Sequence, residues 1–581
     1  MVALPKKYTR LVQYLGVVTL LVVGLFYFNL HGNITLLLKN GEGGVLSRYS
    51  RDPEAPLNGI VVNFGLQRCY HLATWVRICP FKESTLNIGS GDVHISNIKR
   101  VVVNKDLLGS EHYNWFGSSE FIWYDVFEIK SVTDVKNVPT GIRLKGLTSI
   151  RSNSKGICDH PLRNMCIEAH NLDESSLENV RFISKLTVLF GEDATDPRPN
   201  WNLNKDMPLS NVRFPSYISE TYWDNNGPKT LSLSSDSSTT QDLVLNYKQK
   251  FKIVQFADLH FSVGVGRCRD EFPKHDVCEA DPKTLKFMDS VLDIEDPQMV
   301  VFTGDQIMGD ECKQDSESAL LKVLAPVIAR KIPWAMVWGN HDDEGSMSRW
   351  QLSKIVSELP YSLFQIGPSD TDDNTFGVGN YVREIKDNKG KTVTALYFLD
   401  SHKYSQNSKV FPGYDWIKEE QWKYMEEYAN THDSIKQPLD SKQLLSMAFF
   451  HIPIPEYREF PSEYSNRMVG TFKEGITAPK YNSHGIETLH KLGVSVTSCG
   501  HDHCNDFCVL NEKENNRVWL CYGGGTGEGG YAGYGGTERR ARIFEIDAQK
   551  KNIYSWKRLN GSPEKTFGHQ KLVNDGSPYI A

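Results

Sequence analysis

Lys252-Ile253-Val254-Gln255-Phe256-Ala257-Asp258-Leu259-His260 is an apolar, β-branched and aromatic run that stops on two metal-ligating side chains. The arrangement recurs down the chain. Residues 299–303 run into Gly304-Asp305, residues 333–339 into Asn340-His341-Asp342, residues 444–450 into His451, and residues 494–499 into Gly500-His501-Asp502-His503. A lone histidine behind a strand is ordinarily a core or loop residue, and Gly-Asp alone is a turn. Their fixed order, nearly all at strand ends, describes a two-metal site on a sheet.

Helical patterns separate these strands, which is the signature of an α/β layered fold. Asp281 is placed to cap a helix that begins at Pro282 and turns Leu285, Met288, Val291 and Leu292 inward. Further helices are expected over 316–330, 348–359 and 417–429, a hairpin over 381–400, a strand over 517–522 and a closing hairpin over 541–556. In open α/β sheets the carboxyl ends of strands line the ligand crevice, so the clusters stand where a rigid scaffold holds side chains.

Two hard or borderline cations held close together take carboxylate, imidazole and amide ligands, with one carboxylate bridging. Asp258, His260 and His503 are assigned to the first ion, Asn340, His451 and His501 to the second, and Asp305 to the bridge. A hydroxide shared by two such ions is a nucleophile at neutral pH and would attack phosphorus in line with the ester oxygen. His341, next to the asparagine ligand, is aimed past the metals and is the candidate general acid for the leaving alkoxide or a charge stabiliser for the transition state, with Asp342 as the candidate orienting carboxylate. Arg267 and Arg269 are candidate phosphate grips, although arginines in a loop are more often solvated.

Two other motifs are set aside. Gly525-Thr526-Gly527-Glu528-Gly529-Gly530 has dinucleotide-fingerprint spacing, but the following 531–536 is too glycine-rich to open a helix, so the run is expected to be a flexible loop beside the site. Cys499, Cys504 and Cys508 lack the second ligand pair of a zinc knuckle.

Ahead of this region, residues 55–225 alternate apolar and polar side chains in short runs, which predicts a β-rich domain. The expected organisation is a short tail over 1–10, a membrane span over 11–30, a β-rich domain over 31–228, a linker over 229–242 and a catalytic domain over 243–581. Residues 11–30 are uncharged and long enough for a bilayer core of about 30 Å. A cleaved signal peptide is the competing interpretation, but its apolar region is usually shorter and ends in small residues. Lys6, Lys7 and Arg10 precede the run, so the positive-inside rule puts the catalytic domain in a lumen of the endomembrane system or vacuole, with the cytosolic side as the alternative. Cys69 with Cys79, Cys158 with Cys166 and Cys268 with Cys278 are close pairs suited to disulfides, although the odd total of 11 leaves at least one unpaired. The 581-residue chain has a net charge of −6, no global basic footprint, so no nucleic-acid partner is expected.

The motifs Gly266-Arg267-Cys268-Arg269-Asp270, Val301-Phe302-Thr303-Gly304-Asp305, Phe450-His451-Ile452-Pro453 and the run 500–507 resemble the calcineurin-like metallophosphoesterases. The similarity spans about residues 250–550 and lies nearest a small purple-acid-phosphatase-like branch of plants and fungi. It implies a four-layer α/β sandwich of two mixed sheets flanked by helices, preceded here by the β-rich domain and the membrane helix. It also implies two metal ions, of iron, zinc or manganese. With the span and the extension included, the chain is similar to fungal members whose activity implies phosphoprotein substrates. One departure matters, because Met308 stands where purple enzymes carry the tyrosine that binds ferric iron, and His260 is expected to take that ligand's place. A colourless enzyme follows.

Three functions remain open at this level: a phosphatase for phosphoserine and phosphothreonine in proteins, a phosphatase or phosphodiesterase for small molecules or nucleotides, and a non-catalytic membrane adaptor.

Overall fold

The structure is a computed structural model. It describes residues 243–580 apart from 369–374, 460–467, 514–515 and 534–535, residues 165–223 apart from 211–212, and shorter stretches before them, the longest being 59–73, 98–109, 117–129 and 144–152. The expected linker and all but two positions of the expected membrane span lie outside the described residues. Among the described residues no helix is long and apolar enough to cross a membrane.

Two compact units divide the chain. Met1–Phe190 with Asn200–Thr230 form one, and Gly191–Pro199 with Leu231–Ala581 form the other. The first is β-rich: a five-stranded sheet ordered Thr35–Leu38, Val76–Cys79, Gly59–Ala73, Gly117–Glu128 and Ile98–Val103 accompanies two three-stranded sheets. Ile60, Phe127, Leu144 and Phe182 form its core. On one of its strand pairs Arg100 lies 2.8 Å from Asp125 in a pair that is itself nearly buried.

The second unit holds two large mixed sheets. We number its elements β1 (Leu243–Val244), β2 (Lys250–Phe256), α1 (Ala280–Glu295), β3 (Met299–Thr303), α2 (Ser316–Ala329), β4 (Trp334–Val337), α3 (Arg349–Glu358), β5 (Tyr381–Lys386), β6 (Thr392–Phe398), α4 (Glu419–Thr431), α5 (Asp433–Asp440), β7 (Leu445–Phe449), β8 (Met468–Val469), α6 (Gly485–Lys491), β9 (Val494–Cys499), β10 (Cys508–Lys513), β11 (Asn516–Tyr522), β12 (Arg540–Asp547), β13 (Asn552–Leu559), β14 (Ser562–Asn574) and β15 (Ser577–Pro578). One sheet runs β4-β3-β2-β12-β13-β14-β15 and the other β1-β5-β6-β7-β9-β11-β10-β8. Strands β2, β3 and β4 are mutually parallel, as are β6, β7, β9 and β11.

Parallel strands covered on both faces read as continuous apolar runs, and every residue of β3, β4, β7 and β9 is buried. The sheets meet through side chains: Phe449 on β7 packs edge-on against Phe544 on β12, with ring centroids 6.3 Å apart. The Tyr381 hydroxyl on β5 donates to the Met336 carbonyl on β4 at 2.8 Å. Each fully buried aromatic of this kind contributes about 1.5–3 kcal/mol. On the outer face of the larger sheet, Trp422, Met425 and Ala429 of α4 join Ile435, Ile486 and Leu489 in covering Tyr397, Ala448 and Val494.

One local expectation is corrected. Helix α1 begins at Ala280 after an N-cap at Glu279, and Asp281 does not cap it. Its carboxylate turns inward, accepting from the Ser262 N–H at 3.0 Å and the buried Lys322 ammonium at 2.6 Å. Once buried, this carboxylate is compensated by the Lys322 ammonium and the Ser262 N–H, partners that a group taken out of water requires.

Candidate metal centre

The carboxyl ends of β2, β3, β4, β7 and β9 converge, so both sheets contribute to one site. Asp258 and His260 follow β2, Asp305 follows β3, Asn340 follows β4, His451 follows β7, and His501 and His503 follow β9. Asp258, His260, Asp305 and His501 all take left-handed backbone angles, with φ of 54°, 52°, 51° and 79°. That region is unfavourable for residues with a Cβ and is held only where the surroundings over-determine it. Here the loops zip together: Asp258 N–H donates to Gly304 O at 3.1 Å and His260 N–H to Asp305 O at 3.0 Å.

Asp258, His260, Asp305 and His503 present ligand atoms all within 4.8 Å of one another. His260 Nε2 and His503 Nε2 face each other at 3.1 Å. His503 Nδ1 lies 2.8 Å from the Tyr531 carbonyl, to which it donates, leaving Nε2 as a lone pair aimed at the centre. A second set adjoins it. His451 Nδ1 donates to Thr303 O at 2.9 Å, and its Nε2 lies 3.2 Å from Asn340 Oδ1, 3.3 Å from Asp305 Oδ2 and 3.3 Å from His501 Nδ1. Asp305 Oδ2 is also 3.7 Å from His260 Nε2, so this one oxygen reaches both sets. Its partner Oδ1 accepts the His341 N–H at 2.9 Å.

The residues fit a pair of cations. Asp258 Oδ2 is buried with no hydrogen-bond partner, and the inward nitrogens His260 Nε2, His503 Nε2, His451 Nε2 and His501 Nδ1 face one another and acceptor oxygens at the centre. Lone pairs converge with too few protons to satisfy them, a shortage a cation resolves. Burial holds His260 and His501 well below the ordinary imidazole range and His503 down to about 3, so these rings are neutral and ready to ligate. Burial also pushes the Asp258 carboxyl up to about 8. For His451 burial acts downward, but Asp305 and Asp258 outweigh it and raise the ring to about 9. A proton there is the stand-in cation that a metal would displace. Nitrogen and oxygen donors without thiolate suit zinc, manganese or iron.

The remaining expected residues fall in different places. His341 stands 30% exposed at the cleft, its ring 5.5 Å from that of His260. Asp342 does not orient it. That carboxylate is buried and accepts three backbone N–H groups, from Gly339 at 2.7 Å, Ile307 at 3.0 Å and Asp305 at 3.1 Å, because the tight turns that carry two ligands leave those donors without other partners. The carboxylate against His341 is Glu344, with Oε2 2.6 Å from Nδ1. Arg269 lines the cleft, 3.9 Å from Glu311. Arg267 does not; it is exposed over an adjoining depression, where its backbone bridges to Glu279 and the Cys268–Cys278 disulfide closes the loop.

The glycine-rich run is not a flexible loop at its start, since residues 523–530 are buried. A Cβ on Gly530 would lie 2.6 Å from both His260 Cδ2 and His503 Cε1, so only glycine lets this backbone cover two ligands. Tyr531 then lies flat on His503, ring centroids 3.9 Å apart, with its hydroxyl donating to Glu474 at 3.0 Å. Tyr414 meets the His501 ring edge-on at 4.3 Å. Neither tyrosine is marked by any motif, although an aromatic directly after a run of small residues at a strand end was the available signal for Tyr531.

The calcineurin-like phosphoesterase profile matches residues 251–505. Phosphatase DCR2 of Saccharomyces cerevisiae is 47% identical over 594 residues, covering 100% of both chains. A protein of Arabidopsis thaliana named "Probable inactive purple acid phosphatase 29" is 36% identical over 375 residues, covering 60% of this chain and 93% of its own. A solved dimetal phosphatase from Danio rerio is 16% identical, with a TM-score of 0.38 over 56% of this chain and 99% of its own.

Proposed function

This chain belongs to the calcineurin-like phosphoesterase family, a phosphatase by that membership, and from this we propose that it hydrolyses phosphomonoesters of serine and threonine side chains in proteins. The observation that carries the proposal is Asp305 Oδ2, 3.3 Å from His451 and 3.7 Å from His260, reaching both ligand sets at once. Two bound ions would supply an activated water and neutralise charge on the phosphoryl group. Asp258, His260 and His503 would hold one ion, Asn340, His451 and His501 the other, with Asp305 shared.

The chain's own groups do the rest. Burial alone would lower the His341 pKa, but the Glu344 hydrogen bond and the Asp305 charge raise it to about 9; the role of proton donor to the leaving oxygen rests on the ring's place in the cleft wall with a carboxylate at Nδ1. Arg269, exposed at the cleft, reaches for phosphoryl oxygens. Small-molecule sites ordinarily enclose most of their ligand. Here Tyr404 beside the site is 46% exposed and Arg269 47% in its side chain, an open rim that suits a phosphorylated side chain projecting from a larger surface.

A membrane anchor over residues 11–30 and a lumenal catalytic unit complete the proposal. The Cys268–Cys278 and Cys508–Cys521 disulfides support an oxidising compartment. The test is a substrate panel: kcat/KM on phosphoserine and phosphothreonine peptides should exceed that on free phosphoserine, nucleotides and bis-p-nitrophenyl phosphate. A preference for nucleotides or diesters would replace the protein substrate with a small one. Protease digestion of the catalytic unit in sealed microsomes would overturn the lumenal side.

A further inference from the structure

His341 has its backbone fixed, because its N–H donates to Asp305 Oδ1 at 2.9 Å. Its ring still turns about two side-chain bonds, and a general acid must present one particular nitrogen. The group at Nδ1 is Glu344 Oε2, at 2.6 Å. A turn brings the two together, with the Glu344 N–H donating to His341 O at 3.2 Å. Gly309 makes room for that turn: a Cβ there would lie 2.1 Å from His341 O and 2.8 Å from Glu344 Cβ. Asp342, the neighbouring carboxylate, is occupied by three backbone donors and cannot substitute.

A carboxylate–imidazole pair this exposed, 30% and 33%, adds little stability. Its geometry has another use. We propose that Glu344 is the positioning residue of the proton donor: by accepting the Nδ1–H of His341 it fixes the ring's orientation and turns the Nε2–H into the cleft. The assignment rests on the phosphomonoesterase activity proposed above. As the bond from water oxygen to phosphorus forms, the ester P–O bond breaks and its electron pair goes to the leaving oxygen. That oxygen takes the Nε2 proton. The ring is left neutral with Nδ1–H still on Glu344, and solvent restores the lost proton.

Leaving-group dependence separates positioning from a structural role, because a nitrophenolate leaves without a proton and an alkoxide does not. Glu344→Ala should lower kcat on a phosphoserine peptide by roughly 30–100-fold with KM and metal content unchanged, and barely alter kcat on p-nitrophenyl phosphate. Glu344→Gln, whose amide oxygen still accepts from Nδ1, should recover much of the loss. A crystal structure of Glu344→Ala should show the His341 ring turned from its wild-type orientation, a readout independent of activity. Equal losses on both esters, or no loss on either, would overturn the assignment, as would an unmoved ring. A wild-type chain inert on both esters would instead overturn the phosphomonoesterase function itself.

Discussion

Gly304 lies directly against the imidazole of His451, so that a Cβ added to the glycine would sit 2.3 Å from Nδ1. The glycine also has φ of 89°, a left-handed value that costs a residue with a side chain about 1–2 kcal/mol. Gly304→Ala should therefore push the ring off the Thr303 carbonyl that sets its tautomer. The expected result is a Tm lower by roughly 2–6 °C and metal content below wild type by elemental analysis. Full metal content in this variant would contradict the role given to His451.

Asp342 and His341 are neighbours in sequence with opposite duties, and two substitutions should separate them. Asp342→Ala leaves three buried N–H donors unpaired, each costing about 1–3 kcal/mol, so unfolding in urea should show a large loss of stability. His341→Ala removes a half-buried ring outside the core and should change stability by less than about 1 kcal/mol while activity on alkyl phosphates collapses. Equal stability losses would refute the division.

Acid sensitivity has an identifiable source in Asp506. Burial alone would raise its pKa, but Lys557 and Arg540, 2.6 Å and closely paired respectively, outweigh it and bring the carboxyl down to about 2. A folded-state value below the unfolded one of about 3.9 stabilises above that pH, and the contribution fades as pH falls through the folded value. Lys557 shifts downward through burial and Arg542, to about 8, so it stays charged across this window. The Tm gap between wild type and Asp506→Asn should be widest above pH 4 and close toward pH 2. A gap independent of pH would exclude the ion cluster as its cause.

Met308 lines the cleft three residues after Asp305, where a ferric-binding tyrosine would stand. Tyr531, the tyrosine stacked on a ligand, points its hydroxyl at Glu474. Iron-loaded protein should show no visible tyrosinate absorption, and Met308→Tyr should gain it. A band in the wild-type spectrum would refute the ligand scheme.

The α/β frame was legible because its strands are buried on both faces and therefore write themselves as largely apolar runs such as 299–303 and 334–337. The candidate ligands were legible for a related reason: each stands just after the run, where the pattern breaks on a side chain with chemistry. What escaped rests on turns, pairings and packing that no sequence pattern marks. Glu344 meets His341 through a loop turn that no periodicity marks, and Asp342, between them, carries the same chemical promise but faces backbone. The Cys508–Cys521 disulfide follows from the β10–β11 register, which pairs those two residues directly, and only strand β11 was expected. Tyr531 and Gly530 cover ligands of a loop more than 25 residues upstream, through packing that a linear pattern does not encode.

Asp305 Oδ2 reaches both ligand sets, and a hydrolytic centre built on that oxygen needs two ions. The most direct test is a titration of the metal-stripped chain with manganese or zinc, following p-nitrophenyl phosphate hydrolysis beside Asp305→Asn. Wild-type activity should rise to a plateau at two equivalents, and the variant should stay inactive across the titration. Wild-type activity without added metal, or an Asp305→Asn chain as active as wild type, would contradict the account.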